Sequence, residues 1–134
     1  MTWSPDGKWI SYFSDASGNY DLYLMPSDRS AEPTRVMTGE AVWMDGVTWS
    51  PDSRWLAYAK TYPNNFRRIV VWNRESEEVT PLTDVMADSR SPAWDRDGRH
   101  LYFLASTDLA LGSGWANTSS IAADPTYAAY VMIL

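Results

Sequence analysis

The sequence predicts an all-β chain: a partial β-propeller of about three four-stranded antiparallel blades, the first and last incomplete. Three observations carry that reading. The stretch "WSPDGKWISYF" at 3–13 returns as "WSPDSRWLAYA" at 49–59 and more loosely as "WDRDGRHLYFL" at 94–104, starts that lie 46 and 45 residues apart. A second marker holds the same phase, since Thr38 and Thr83 each stand 11 residues before the next repeat's Trp. Within one period the pattern divides into four short strands, and four strands per repeat of roughly 40–45 residues describe a propeller blade. One blade cannot bury both its faces, so neighbours must stack on it. An antiparallel sandwich gives no reason for the repeat to persist. The units run about 1–40, 41–85 and 86–134, within one domain covering 1–134.

The second unit shows each expected strand. Val42 to Trp49 is strand a, Arg54 to Lys60 strand b, Arg67 to Trp72 strand c and Glu78 to Leu82 strand d. Pro51 sits at the second position of the a–b turn, where its fixed φ suits a type I turn. Gly7 and Gly98 follow in the first and third units, and glycine readily takes the left-handed conformation that closes such a hairpin. Ser53 stands at the equivalent position and is a poorer choice, so the second turn is expected to differ slightly. Alternation in strand b puts Ile10, Leu56 and Leu101 in register, with Tyr12, Tyr58 and Phe103 two residues on and on the same face. The first unit has almost no strand a before Trp3, and the third reaches Leu134 without a strand d.

Composition agrees. Hydrophobic residues make up 45% of the 134, and eight Trp and eight Tyr are too apolar for disorder and favoured by strands. With no Cys, a disulfide framework and a thiolate metal site are excluded. Basic residues are scattered through a chain of net charge −6, so neither nucleic acid nor an anionic membrane is an expected partner. No apolar run reaches the roughly 18 residues that a spanning helix needs. The N-terminus lacks a signal-peptide pattern, which favours the cytoplasm, or the periplasm if the natural chain starts upstream.

Candidate chemistry is sparse. His100 is the only histidine, so any Ser-His-Asp device must use it, yet it fills the slot of Trp9 and Trp55. "DRDG" at 95–98 resembles the opening of a calcium loop, but "DRDGRHLYFLAS" lacks the later oxygen ligands and the closing Glu. It aligns with the Ser-Pro-Asp-Gly turn of the first unit, so no metal and no cofactor are expected. "NTS" at 117–119 is formally a glycosylation acceptor, of consequence only in a secreted eukaryotic chain. The long b–c connection of the third unit, Thr107 to Thr126, is more telling. It carries Leu109, Leu111, Trp115 and Ile121 among Gly, Ser and Ala, and a loop of this length is usually functional or mobile. These four side chains either cover the third blade or form a contact surface.

"WSPDGKWISYFSDASGNYDLYLMPSD" at 3–28 resembles the TolB-like, PD-type propeller repeat, without the Gly-His start and closing Trp-Asp of WD repeats. "LYFLASTDLALGSGWANTSS" at 101–120, followed by "YVMIL" at 130–134, is similar to a blade of tricorn-type proteases, where such a strand leads into a long insertion bearing a Trp and a Ser-Ser pair. In that family the propellers precede a PDZ-like module and a serine-peptidase core, and are thought to guide peptides toward it. Neither module fits in this chain, so its catalytic residues have no counterparts here.

The expectation is therefore a non-catalytic propeller segment that binds protein or peptide and assembles with itself. Three blades do not comfortably close a ring. Their end faces call for completion by neighbouring blades or by further copies of the chain, with a dimer imitating a six-bladed ring the favoured form. The alternative is a truncated part of a tricorn-like serine peptidase whose catalytic domains are elsewhere. A purely structural self-assembling unit is the third reading.

Overall fold

The computed structural model describes residues 1–37, 45–64, 66–107 and 126–134. Among these there is no helix, and eleven strands form three antiparallel sheets. Sheet 1 orders β1 (Thr2–Trp3), β2 (Trp9–Ser14), β3 (Asp21–Pro26) and β4 (Thr34–Met37). Sheet 2 orders β5 (Asp45–Trp49), β6 (Trp55–Thr61), β7 (Arg67–Asn73) and β8 (Val79–Pro81). Sheet 3 has three strands, β9 (Asp88–Trp94), β10 (His100–Ser106) and β11 (Ala128–Ile133). Each strand pairs with its neighbour in sequence within its own sheet, which is the up-and-down meander of a propeller blade. The chain is a partial all-β propeller, with a two-residue first strand and a last sheet of three strands.

The tight turns follow from side chains at fixed positions. In the first unit Gly7 N donates to Ser4 O (2.9 Å), Ser4 Oγ donates to Asp6 Oδ1 (2.6 Å), and Asp6 Oδ1 also accepts from Lys8 N (3.1 Å). The second unit repeats this with Ser53 N to Ser50 O (2.9 Å), Ser50 Oγ to Asp52 Oδ1 (2.5 Å) and Arg54 N to Asp52 Oδ1 (3.1 Å). Ser53 does not alter its turn as expected. It takes the same left-handed conformation (φ 60°) as Gly7 and Gly98 (φ 70° and 68°). Burial explains why a residue with a Cβ is held there: Ser53 is 1% exposed, its Oγ accepts Asp6 N from sheet 1 (3.0 Å), and its carbonyl accepts Arg74 Nε (3.2 Å).

Sheet 2 is buried on both faces, and strand alternation decides which residue meets which neighbour. Leu56, Tyr58, Val70 and Trp72 join Leu22, Leu24, Val36 and Met37 of sheet 1 in one cluster. Ala57, Ala59, Ile69 and Val71, on the opposite face, join Leu101 of sheet 3, with Phe103 and Trp94 packed against them. The first strands of sheets 2 and 3 approach each other through a pair of β-bulges. Gly46 (φ 69°) and Ser91 (φ 55°) occupy the extra position in β5 and β9. A Cβ on Gly46 would lie 3.1 Å from Pro92 Cδ, so only glycine lets these strands come this close without displacement.

Candidate functional site

The polar side chains best organised for a role gather where sheet 2 meets sheet 3. Asp88 opens β9 and is completely buried. Its Oδ1 accepts Arg67 N (2.8 Å) and Arg67 Nε (2.9 Å), its Oδ2 pairs with Arg67 Nη2, and Tyr127 Oη donates to Oδ2 (3.2 Å). Burial pushes the Asp88 pKa upward, but the hydrogen bonds and charge of Arg67, with the Tyr127 hydroxyl, outweigh it and hold the pKa below its ordinary value. Burial and then the Asp88 charge raise the pKa of Tyr127, keeping it a protonated donor, while the Arg90 guanidinium lies 3.7 Å from its ring centroid. Both Asp88 oxygens are engaged, so the arrangement fastens three strand ends, while Arg90 Nε is buried without a hydrogen-bond partner among the described residues. Sequence reasoning passed over it, because Asp88 and Arg67 look like ordinary polar residues at strand starts and only the tertiary fold brings them together.

Asp95, Asp97 and His100 are brought together at the third a–b turn, with their ligand atoms within 4.8 Å of one another. His100 Nδ1 lies 2.8 Å from Asp97 Oδ2 and 3.9 Å from Asp95 Oδ2. Both carboxylates already serve the turn: Asp97 Oδ1 accepts Arg99 N (2.8 Å), and Asp95 Oδ1 accepts Arg96 N (2.7 Å). The Asp97 bond is the one Asp6 and Asp52 make in the other units. Among the described residues no hydroxyl bonds the imidazole, whose hydrogen-bond partner there is Asp97.

The residues singled out in the long connection, Leu109, Leu111, Trp115 and Ile121, lie outside the described residues. The residues flanking that segment, Thr107 and Thr126, line a recess of about 510 Å³ with Phe103, Tyr127, Tyr130 and Met132. A second recess, of about 410 Å³, lies between the same two sheets and is walled by Trp55, Val71, Leu82 and Trp94.

Part of the exposed apolar surface lies on the outer face of sheet 3. In sheet 3, Leu101 and Phe103 of β10 point toward sheet 2. The alternate residue Tyr102 pairs across with Val131, and His100 pairs with Ile133, on the opposite face. Tyr102, Val131 and Ile133 are 44%, 54% and 71% exposed. The outer edge of β11 pairs with no described strand, whereas β4 and β8 cover that position in sheets 1 and 2. An apolar face next to an open strand edge can take up another sheet or an extended peptide.

Comparison with solved structures matches this architecture to TolB and tricorn propellers. Over 98% of this chain and 13% of the other, it superposes on the tricorn protease with a TM-score of 0.76 at 18% identity. A TolB protein from Agrobacterium tumefaciens described as putative matches at 29% identity over 77% of this chain and 36% of its own, with a TM-score of 0.62. TolB from Acinetobacter baumannii matches at 18% identity over 96% of this chain and 28% of its own, with a TM-score of 0.65. No protein-family model matches the sequence, and no curated protein sequence matches it. The fold is a TolB-like β-propeller segment resembling that of the tricorn protease. The chain spans about a third or less of the length of each of these structures.

Proposed function

We propose that the chain is a non-catalytic interaction module that binds protein or peptide segments and assembles with copies of itself. The observation that carries this is the outer edge of β11, a six-residue strand; no described strand pairs with it there, where β4 and β8 occupy the corresponding position in sheets 1 and 2. An extended segment adding there gains main-chain hydrogen bonds, while alternate side chains meet the apolar face of sheet 3. Strand β4 (Thr34–Met37) occupies the corresponding position in sheet 1, so its sequence is the natural probe. A fluorescently labelled peptide of residues 33–37 is titrated with the purified chain. A saturable rise in anisotropy with the peptide intact supports the proposal. No rise, or cleavage of the peptide that a serine-directed reagent abolishes, contradicts it.

A further inference from the structure

The two end faces of the stack are matched to each other. Each sheet presents one b–c face toward the preceding sheet and the other toward the following one. In sheet 3 the preceding face carries Leu101, Phe103, Tyr130 and Met132, paired Leu101–Met132 and Phe103–Tyr130 across the strands. Leu101 is completely buried against sheet 2. In sheet 1 the same four positions hold Ile10, Tyr12, Tyr23 and Met25, paired Ile10–Met25 and Tyr12–Tyr23. The likeness extends to geometry, since Phe103 stacks on Tyr130 at 5.7 Å and 18°, and Tyr12 on Tyr23 at 5.7 Å and 21°. Nothing among the described residues packs as a sheet on this face of sheet 1.

The opposite end carries the complementary surface. Sheet 2 receives sheet 3 on Ala57, Ala59, Ile69 and Val71. At the same positions sheet 3 presents Tyr102, Leu104, Ala129 and Val131 on its outer face. Val131 repeats Val71, and the pair Leu104–Ala129 exchanges the large and small members of Ala59–Ile69, a swap that nearly conserves volume. Tyr102 in place of Ala57 adds aromatic area suited to burial.

We infer that two copies of the chain pack head to tail, the Ile10–Tyr12–Tyr23–Met25 face of one seating on the Tyr102–Leu104–Val131 face of the other. The contact continues, between chains, the interface that joins sheets 2 and 3 within one chain. Two such contacts related by a two-fold rotation close a ring of six blades, the condition under which a heterologous contact ends in a finite assembly. The inference rests on the self-assembly reading above and specifies its mode.

Complementing variants test the mode separately from assembly itself. Tyr23→Lys blocks one face and leaves the other intact, and Val131→Lys does the reverse. Head-to-tail packing predicts that the wild-type chain sediments at twice the chain mass and each variant alone at the single-chain mass. Their equimolar mixture then recovers the two-chain mass, through the one contact that carries neither substitution. That recovery also shows that both variants are folded. A wild-type dimer that Tyr23→Lys leaves dimeric overturns the head-to-tail mode while self-assembly stands. A mixture that stays monomeric also overturns the mode, provided each variant keeps the wild-type circular dichroism. A wild-type chain that is monomeric at every concentration overturns both readings.

Discussion

Single residues in the fold carry opposite consequences depending on how their polar atoms are satisfied. Tyr58 is completely buried between sheets 1 and 2, and its hydroxyl has no partner among the described residues. Burial pushes its pKa well above the usual tyrosine value. An unpaired buried hydroxyl is costly, so Tyr58→Phe is expected to raise stability by about 1 kcal/mol in urea unfolding, and a loss of similar size would contradict the account. Asp88 is the reverse case. Asp88→Asn removes the buried carboxylate charge that Arg67 pairs with and is expected to cost about 3 kcal/mol. Because the folded-state pKa of Asp88 lies below its ordinary 3.8, its contribution to stability is complete above that pH and is lost as pH falls toward the native value. The acid limb of the stability profile should therefore flatten in Asp88→Asn, and an unchanged limb would show that the carboxylate is not stabilised in the folded state. Neither residue's environment was legible in the sequence. Alternation placed Tyr58 on the correct face, but whether its hydroxyl finds a partner is settled by sheet 1. Ser53 teaches the same lesson, since the contacts that hold it left-handed come from Asp6, 47 positions away in sequence.

Elements were the most legible scale. Strand b was expected at Arg54 to Lys60 and found at Trp55–Thr61, and strand c at Arg67 to Trp72 and found at Arg67–Asn73. Period-2 alternation, with turn residues at both ends, specifies such strands locally. The bulges in β5 and β9 escaped because an extra residue in one strand is defined by its partner's register. Gly46 gives the bulge its energetic weight. Gly46→Ala meets both a left-handed backbone and Pro92, so a loss of about 1–2 kcal/mol is expected in thermal or urea unfolding, and a neutral result would show that β9 yields without cost. The elements should also differ in how readily they open. β6 and β7 are buried on both faces, whereas β8 is exposed throughout and β1 has two residues. Amide exchange should be slowest in β6 and β7 and fastest in β1 and β8; equal protection across the three sheets would contradict the two-sided core.

At the scale of the whole molecule, the repeat made the blade architecture readable before any contact was known, because three units at one period imply one sheet each. What the repeat could not supply was the exposure that makes a role. Tyr102, Val131 and Ile133 stand in strands that read as ordinary blade strands, and only the stacking order leaves their face uncovered. A propeller grows by placing the same two faces against each other, and among the described residues no sheet covers the preceding face of sheet 1 or the outer face of sheet 3. In the assembly inferred above, these two faces meet in a second copy. Sedimentation velocity of the wild-type chain over a range of concentrations tests it most directly. A two-chain mass that persists on dilution into the micromolar range is the predicted result, and a single-chain mass at every concentration would contradict it.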